Sequence, residues 1–204
     1  ILLTHHHFDH TGGVDELLEK YPSVKIYGPK DSRIPLINQP VRDEDIIHIN
    51  NYDFRVMSIP GHTSTHICFH EPTRKWLFCG DTLFSAGCGR VFDGTMVSLY
   101  HSLQVLKNLP DDTLIFCAHE YTINNLQFAH LVEPGNKAIS EYKHSLLNQR
   151  SSCTLPSNIA LEKQINPFFR VDKPDIVNFV RNQGGNTSTD LSIFSYLRTK
   201  KDIF

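Results

Sequence analysis

The sequence THHHFDH at residues 4–10 decides the fold of this chain. It follows a short apolar stretch typical of a strand, and side chains two apart on an extended chain share a face, so His5 and His7 can grip one ion together. Asp9 and His10 fall where the chain turns toward a glycine-started helix, beside that ion. The motif therefore predicts two pairs of metal ligands.

Three further candidate ligands each stand just after an apolar, strand-like run. In layered α/β folds the carboxyl ends of strands converge on one crevice, so we expect these side chains to meet the motif. The three are His62 after the run at 54–59, Asp81 after 76–79 and His119 after 114–118.

These seven residues divide into two predicted ligand sets that share a bridge. Imidazole suits zinc, iron or manganese better than magnesium or calcium, and a carboxylate has two oxygens with which to bridge two ions. A water shared by two divalent ions, with zinc the expected metal, has its pKa lowered from about 16 toward about 7, and the resulting hydroxide can attack a carbonyl. The sets are His5, His7 and His62 for metal 1 and Asp9, His10 and His119 for metal 2, with Asp81 bridging and with Asp9 and Asp81 assigned to catalysis.

The pattern of the chain changes near residue 122. Before that point short apolar runs alternate with turn clusters, which predicts an α/β domain at 1–122. Beyond it, apolar residues recur at helical spacing, which predicts a small all-α domain at 123–204. The predicted strands lie at 24–27, 54–59, 67–69, 76–79 and 114–118, and the predicted helices at 14–20, 97–108, 123–131, 137–150, 174–182 and 190–200.

Composition excludes several classes of function. The net charge is −2 and the pI is about 6.7, so no basic field is available for nucleic acid or an anionic membrane. Five cysteines without a CxxC pair favour free thiols in a reducing compartment, and the apolar runs are only strand-sized. We therefore expect a cytoplasmic protein that binds neither nucleic acid nor membrane. We also expect a monomer, although composition does not determine the oligomeric state.

Several segments carry a family resemblance. THHHFDHTGG, PGHT and GDTLF resemble the metallo-β-lactamase superfamily, while CGDTLFSAGCGRVFDGT, CAHEYTINNLQFAHLVEPGN, NPFFR and LRTKKDIF are similar to glyoxalase II, the hydroxyacylglutathione hydrolases. The resemblance implies an αββα sandwich followed by a small all-α domain. It also implies hydrolysis of S-D-lactoylglutathione to glutathione and D-lactate, by a bridging hydroxide on a binuclear metal centre.

The resemblance also implies the residues that bind the glutathione thioester, namely Arg90, Phe92, Tyr121, Arg198 and Lys201. Because the family commonly has tyrosine where Phe92 stands, we expect that contact to be apolar. Arg198 and Lys201 are three apart and share a helix face if the last helix reaches them. Basic residues also favour helix C-termini for their interaction with the helix dipole, so the spacing alone leaves their role open.

Two questions stay open at this stage. Members of the family begin with strands that precede the metal motif, whereas this sequence opens at Ile1, so we expect a sandwich without its N-terminal strands and with apolar surface or an unpaired strand edge exposed. If the polypeptide begins at Ile1, we expect low stability and impaired activity. Other functions within the same fold are a persulfide dioxygenase, a lactonase or a generic thioesterase. A metal-binding but inactive scaffold is an alternative from a different class.

Overall fold

The computed structural model describes residues 1–148 and 153–204. Its strands are β1 Tyr27–Pro29, β2 Gln39–Val41, β3 Ile46–Ile49, β4 Tyr52–Ser58, β5 Ile67–Glu71, β6 Trp76–Gly80, β7 Leu83–Phe84, β8 Gly87–Cys88, β9 Leu114–Cys117 and β10 Ser157–Asn158. Its helices are α1 Phe8–Thr11, α2 Val14–Lys20, α3 Met96–Lys107, α4 Thr122–Val132, α5 Lys137–Leu147, α6 Ile159–Ile165, α7 Pro174–Asn182 and α8 Asp190–Asp202.

Six strands form one mixed sheet in the order β10-β9-β6-β5-β4-β3. Strands β3 to β6 pair antiparallel, and β9 joins β6 in parallel. A second, smaller sheet pairs β1 with β2 in parallel, and Leu2 forms a parallel bridge to Tyr27 beside it. Strands β7 and β8 make a short hairpin of their own.

Both faces of the large sheet are covered, as β5 illustrates. Ile67 and Phe69 face a core shared with the small sheet, whereas Cys68 between them faces a second core. In a strand that is covered on both faces, buried residues do not alternate with exposed ones, and every residue of β5 is buried. The second core also contains Leu103 of α3 and Phe194 of α8. Helices from the C-terminal part therefore pack on the core of the sheet, and the division at residue 122 stays a prediction.

Most predicted elements are found close to their predicted positions, and α2 and α7 have the predicted bounds. The strand predicted at 24–27 is wrong, because the strand lies at β1 instead. The side chain of Asn38 accepts from the Ile26 N–H and donates to the Val24 carbonyl, so these backbone groups are satisfied without a partner strand.

Three other differences concern helices. Asp9 and His10 lie in the short helix α1 and not in an open turn. Helix α6 was not predicted; it begins after Asn158, whose side chain caps it by accepting from the Leu161 N–H. The predicted end of the helix at 137–150 falls outside the described residues. Within the described ranges, no helix has the length and apolar content needed to cross a membrane.

Candidate metal centre

Strand direction brings the predicted ligands together. Both β4 and β6 run antiparallel to β5, and β9 runs parallel to β6, so these three strands end at the same edge of the sheet. His62, Asp81 and His119 come just after those ends, as predicted from the sequence. The turn of α1 brings the histidine motif to the same edge.

The first predicted set is compact. Nε2 of His5 lies 3.1 Å from Nδ1 of His7, and Nε2 of His62 lies 3.0 Å from the same Nδ1 atom. Ligand atoms about 2.0–2.1 Å from a tetrahedral zinc ion are roughly 3.3 Å apart, so this spacing fits three ligands around one ion.

The second predicted set lies beside it. Oδ2 of Asp9 is 3.3 Å from Nε2 of His119 and 3.6 Å from Nε2 of His10. These separations again match ligands that share an ion, and the three residues form one of the His and Asp groups with converging donor atoms. Asp9 is exposed, which leaves this side of the cluster accessible from solvent.

Asp81 contacts both sets. Its Oδ2 lies 3.6 Å from Nε2 of His62 and 3.4 Å from Nε2 of His119, while its Oδ1 lies 3.2 Å from Nε2 of His10. That Oδ1 and the His10 Nε2 are buried, and neither makes a hydrogen bond to any residue in the described ranges. Unsatisfied buried polar atoms are costly, and a cation between them removes the cost. The cluster therefore fits metal binding.

The charge states of His5 and His62 agree with this conclusion. Burial, followed by the neighbouring His66, lowers the pKa of His5, and burial lowers the pKa of His62. Both rings are therefore neutral, which is the form that offers a lone pair to a metal. At His10 burial acts in the same direction, but the Asp81 carboxylate outweighs it and raises the pKa.

The surrounding backbone fixes the orientation of His62. Its Nδ1–H donates to the carbonyl of Arg90 (2.7 Å), so Nε2 is left as the lone-pair atom facing the cluster. Gly61 has a φ of +146°, and a Cβ atom there would lie 2.3 Å from Cα of Leu99. Only glycine therefore permits this approach to α3, and the approach places the next residue, His62.

His66 is a neighbour of the cluster to which the sequence assigned only a surface or structural role. It is fully buried and stacks on His5 with ring centroids 4.6 Å apart, and its Nε2 accepts from the Asp81 backbone N–H (3.2 Å). Burial, followed by the charge of His62, lowers its pKa to about 3, so the ring stays a neutral acceptor. Its only sequence signal was its place four residues after a ligand.

A cavity of about 670 Å³ opens beside the cluster, within the size range of small-molecule sites. All five predicted substrate residues line it, namely Arg90, Phe92, Tyr121, Arg198 and Lys201. Residues that were not predicted as substrate contacts line it too, namely Phe8, Phe84, Cys88, Asn124 and Asn125.

Aromatic rings flank the ligands. Phe92 packs edge-on against His7 and His62, with centroids 4.9 and 5.2 Å away. Tyr121 stacks on His119 at 5.1 Å. Phe8, whose neighbours in the sequence are both predicted ligands, is 83% exposed, and apolar surface of this kind suits contact with a ligand.

Cations gather in the same cavity. Arg198 is only 5% exposed; its Nη1 donates to the Cys88 carbonyl (2.7 Å) and its Nη2 contacts Oδ1 of Asp202 (3.1 Å). Nε of Arg90 donates to the same oxygen (3.0 Å), and Nζ of Lys201 donates to Oδ1 of Asn124. The buried Nε of Arg198 has no partner among the described residues. This cluster can bind an anionic ligand.

The sequence matches two families along its length. Residues 1–119 match the metallo-beta-lactamase superfamily, and residues 120–204 match the family described as hydroxyacylglutathione hydrolase C-terminus. The chain is 52% identical over 204 residues to a hydroxyacylglutathione hydrolase from Legionella pneumophila strain Corby. It is 48% identical over 207 residues to one from Chromohalobacter salexigens. Each alignment covers 100% of this chain and 80% of the relative.

Solved structures share the fold. ETHE1 from Myxococcus xanthus gives a TM-score of 0.62 at 24% identity, covering 99% of this chain and 76% of that one. TTHA1623, solved in a di-iron-bound form, gives a TM-score of 0.58 at 25% identity. That alignment covers 82% of this chain and 76% of the TTHA1623 chain. At 24% identity, the first likeness concerns the fold alone.

Proposed function

Because this chain belongs to the hydroxyacylglutathione hydrolase family of the metallo-β-lactamase superfamily, we propose that it hydrolyses S-D-lactoylglutathione to glutathione and D-lactate. The observation that carries this proposal is one cavity that joins a His and Asp cluster to three basic side chains. Hydrolysis breaks the C–S bond and forms a C–O bond, while water supplies the hydroxyl of the acid and the proton of the thiol.

We propose that two divalent ions occupy the cluster, with zinc preferred for this donor set. The first would be held by His5, His7 and His62, the second by Asp9, His10 and His119, and both by Asp81. When bound, such ions polarise a carbonyl oxygen and lower the pKa of water to about 7. The di-iron form of the structurally similar TTHA1623 supports a site for two ions.

Aromatic side chains offer the substrate an apolar contact beside the cluster. Phe92 and Tyr121 pack on the rings of His7 and His119, so a substrate bound at these ligands would contact both aromatic rings. The leaving thiol has a pKa of about 8.5, so the thiolate departs without a strong general acid. This explains why a protonated acid need not stand beside the cluster.

The basic residues hold the glutathione portion. Arg90 and Arg198 share the Asp202 carboxylate, which fixes two long side chains before substrate arrives. Preorganisation of this kind reduces the entropy lost on binding.

The direct test is thiol release from S-D-lactoylglutathione by the metal-loaded protein. We expect multiple turnovers with release of one thiol per thioester consumed. Oxygen uptake with glutathione persulfide or turnover of an acyl-homoserine lactone, without thioester hydrolysis, would instead indicate a dioxygenase or a lactonase.

A cytoplasmic monomer that binds neither nucleic acid nor membrane, and the two-domain division at residue 122, remain predictions.

We predict that substrate affinity weakens in alkaline solution because of Lys201. Burial, followed by the charge of Arg198, lowers its pKa to about 8, from 10.5. The ammonium is present below that pH and is lost as the pH rises through it, so KM should rise several-fold between pH 7.5 and 9.5. The Lys201→Arg variant, whose guanidinium stays charged, should show a flatter KM profile over this range. An equally steep rise in this variant would contradict the assignment.

A further inference from the structure

The buried carboxylate of Glu162 has no part in the chemistry described so far. Glu162 lies on α6 and is fully buried. Ionisable groups are seldom placed in a protein interior unless several donors compensate for the loss of water. Its partners therefore indicate what it does.

Three donors converge on this carboxylate. The Ala86 backbone N–H donates to Oε2 (2.8 Å), and Nδ2 of Asn166 donates to the same oxygen (2.9 Å). The Ser157 hydroxyl donates to Oε1. The first of these donors belongs to the β7–β8 hairpin, the short segment at residues 83–88 that follows Asp81.

The hairpin depends on such side chains from the helical part of the chain. Besides its bond to Glu162, Nδ2 of Asn166 approaches the carbonyls of Gly87 (2.9 Å) and Phe84 (3.3 Å). Nδ2 of Asn125, on α4, donates to the Ser85 carbonyl (3.0 Å). Buried side chains of α4 and the α6 region thus satisfy the hairpin's backbone groups.

The turn itself needs outside support. Ala86 has a φ of +55°, in the left-handed region that non-glycine residues rarely adopt because Cβ crowds the backbone. Such a conformation persists only when the surroundings hold it. The bond from the Ala86 N–H to Glu162 acts directly on that residue.

The hairpin in turn shapes the substrate cavity. Phe84 lines the cavity and packs against Tyr121, with ring centroids 5.1 Å apart. The Cys88 carbonyl accepts the 2.7 Å bond from Arg198. A displacement of the hairpin would therefore move both an aromatic wall of the cavity and the acceptor that anchors Arg198.

We propose that Glu162, with Asn166, is a positioning residue for the glutathione-binding side of the cavity, acting through the β7–β8 hairpin. This inference rests on the proposed function. Glu162 does not touch substrate; it sets where Phe84 and Arg198 stand. Its loss should weaken binding of the glutathione portion more than it slows the chemical step.

The charge state of Glu162 determines the strength of its hydrogen bond from the Ala86 N–H of the hairpin. Burial raises its pKa to about 7, although its hydrogen bonds, that from Ser157 first among them, oppose the shift. The titratable groups around it are the Tyr142 phenol of α5 and the Cys117 thiol of β9, and burial raises the pKa of both, so both stay neutral. Above pH 7 the ionised carboxylate accepts charge-assisted bonds, which are stronger than neutral ones. Below pH 7 the carboxyl group is protonated. Its proton can be donated to the Ser157 hydroxyl, whereas the Ala86 N–H and the Asn166 amide nitrogen can only donate.

The test compares Glu162→Ala and Glu162→Gln with the wild type in the metal-loaded enzyme. Binding of S-methylglutathione, a thioether that cannot be hydrolysed, is measured by calorimetry, beside kcat and KM for S-D-lactoylglutathione. We expect Glu162→Ala to raise Kd and KM about tenfold or more, because three donors lose this acceptor, with kcat and metal content within about threefold.

Glu162→Gln separates positioning from bulk stability. Its amide can keep an oxygen toward Ala86 and Asn166 and donate to Ser157, so it imitates the protonated acid. The wild-type Kd should fall about threefold from pH 6 to 7.5, whereas the Glu162→Gln value should stay constant near the wild-type value at pH 6. Because this variant preserves the packing, it remains informative if Glu162→Ala does not fold.

Glu133→Ala is the matched control. Glu133 is similarly buried in the helical part, but its carboxylate is held by Arg170 (2.8 and 2.9 Å) and not by the hairpin. The Glu133→Ala substitution should lower thermal stability without changing the Kd for S-methylglutathione. A Kd unchanged in both Glu162 variants, or raised equally by Glu133→Ala, would overturn the inference. A wild type that neither binds S-methylglutathione nor hydrolyses the thioester would instead refute the proposed function.

Discussion

Replacement of Asp81 by asparagine is expected to lower kcat for S-D-lactoylglutathione by about a thousandfold or more. Asp81 is the residue whose two oxygens contact both ligand sets, within 3.2–3.6 Å of His10, His62 and His119. Asparagine keeps the shape but offers one neutral oxygen. It can neither bridge two ions nor offset their charge, so we also expect the metal content to fall below two ions per chain.

Asp31→Asn is the control for that experiment. The Asp31 side chain is 4% exposed and near the histidine motif, 4.0 Å from Nδ1 of His6, but its oxygens accept from Arg33 and Thr65. It is not among the predicted ligands. We expect elemental analysis to find the same metal content as in the wild type. Full activity in Asp81→Asn, or an equal loss of metal in Asp31→Asn, would contradict the assignment of the bridge.

Replacement of Arg198 by methionine should produce the second largest effect, a rise in KM of about fiftyfold with a smaller change in kcat. Methionine keeps much of the buried volume but removes the donors to the Cys88 carbonyl and to Asp202. It also leaves the carboxylate of Asp202 with one cation in place of two. Initial-rate kinetics over a wide range of substrate concentrations measure both parameters.

Arg198→Lys should not restore affinity, because a single ammonium cannot reach the carbonyl, the carboxylate and the substrate together.

Arg181→Met tests the alternative that such cations serve only the helix dipole. Arg181 lies in the last turn of α7, is exposed, and its Nη1 contacts Oδ1 of Asn178 (3.0 Å). An equal rise in KM in Arg181→Met would show that the effect at Arg198 is not specific to the cavity.

Asp202 shows why the cationic group could be predicted only in part. Arg198 and Lys201 were predicted from resemblance to a family, and spacing alone left their role open. The structure adds the carboxylate that holds Arg198 and Arg90, which lie on segments far apart in the sequence. Side chains 112 residues apart have no local signal of their pairing. Only the packing of α8 against the loop at 89–94 brings them together.

The sequence by itself determined the α/β class and the family, and it predicted the His and Asp residues whose donor atoms converge in the structure. These predictions rest on local signals. A ligand that follows a strand end is placed by the direction of that strand, and the HxHxDH motif places four predicted ligands within six residues. The same local logic predicted α2 and α7 with their observed bounds.

Tertiary structure alone decided the rest. It displaced the strand predicted at 24–27, because the Asn38 side chain satisfies that backbone, and it placed His66 behind Asp81. It also brought Glu162 and Asn166 beneath the β7–β8 hairpin, some 80 residues earlier in the chain. Each of these depends on a polar group finding its partner across the core. Such partners are chosen by how the layers pack, and periodicity along the chain does not encode them.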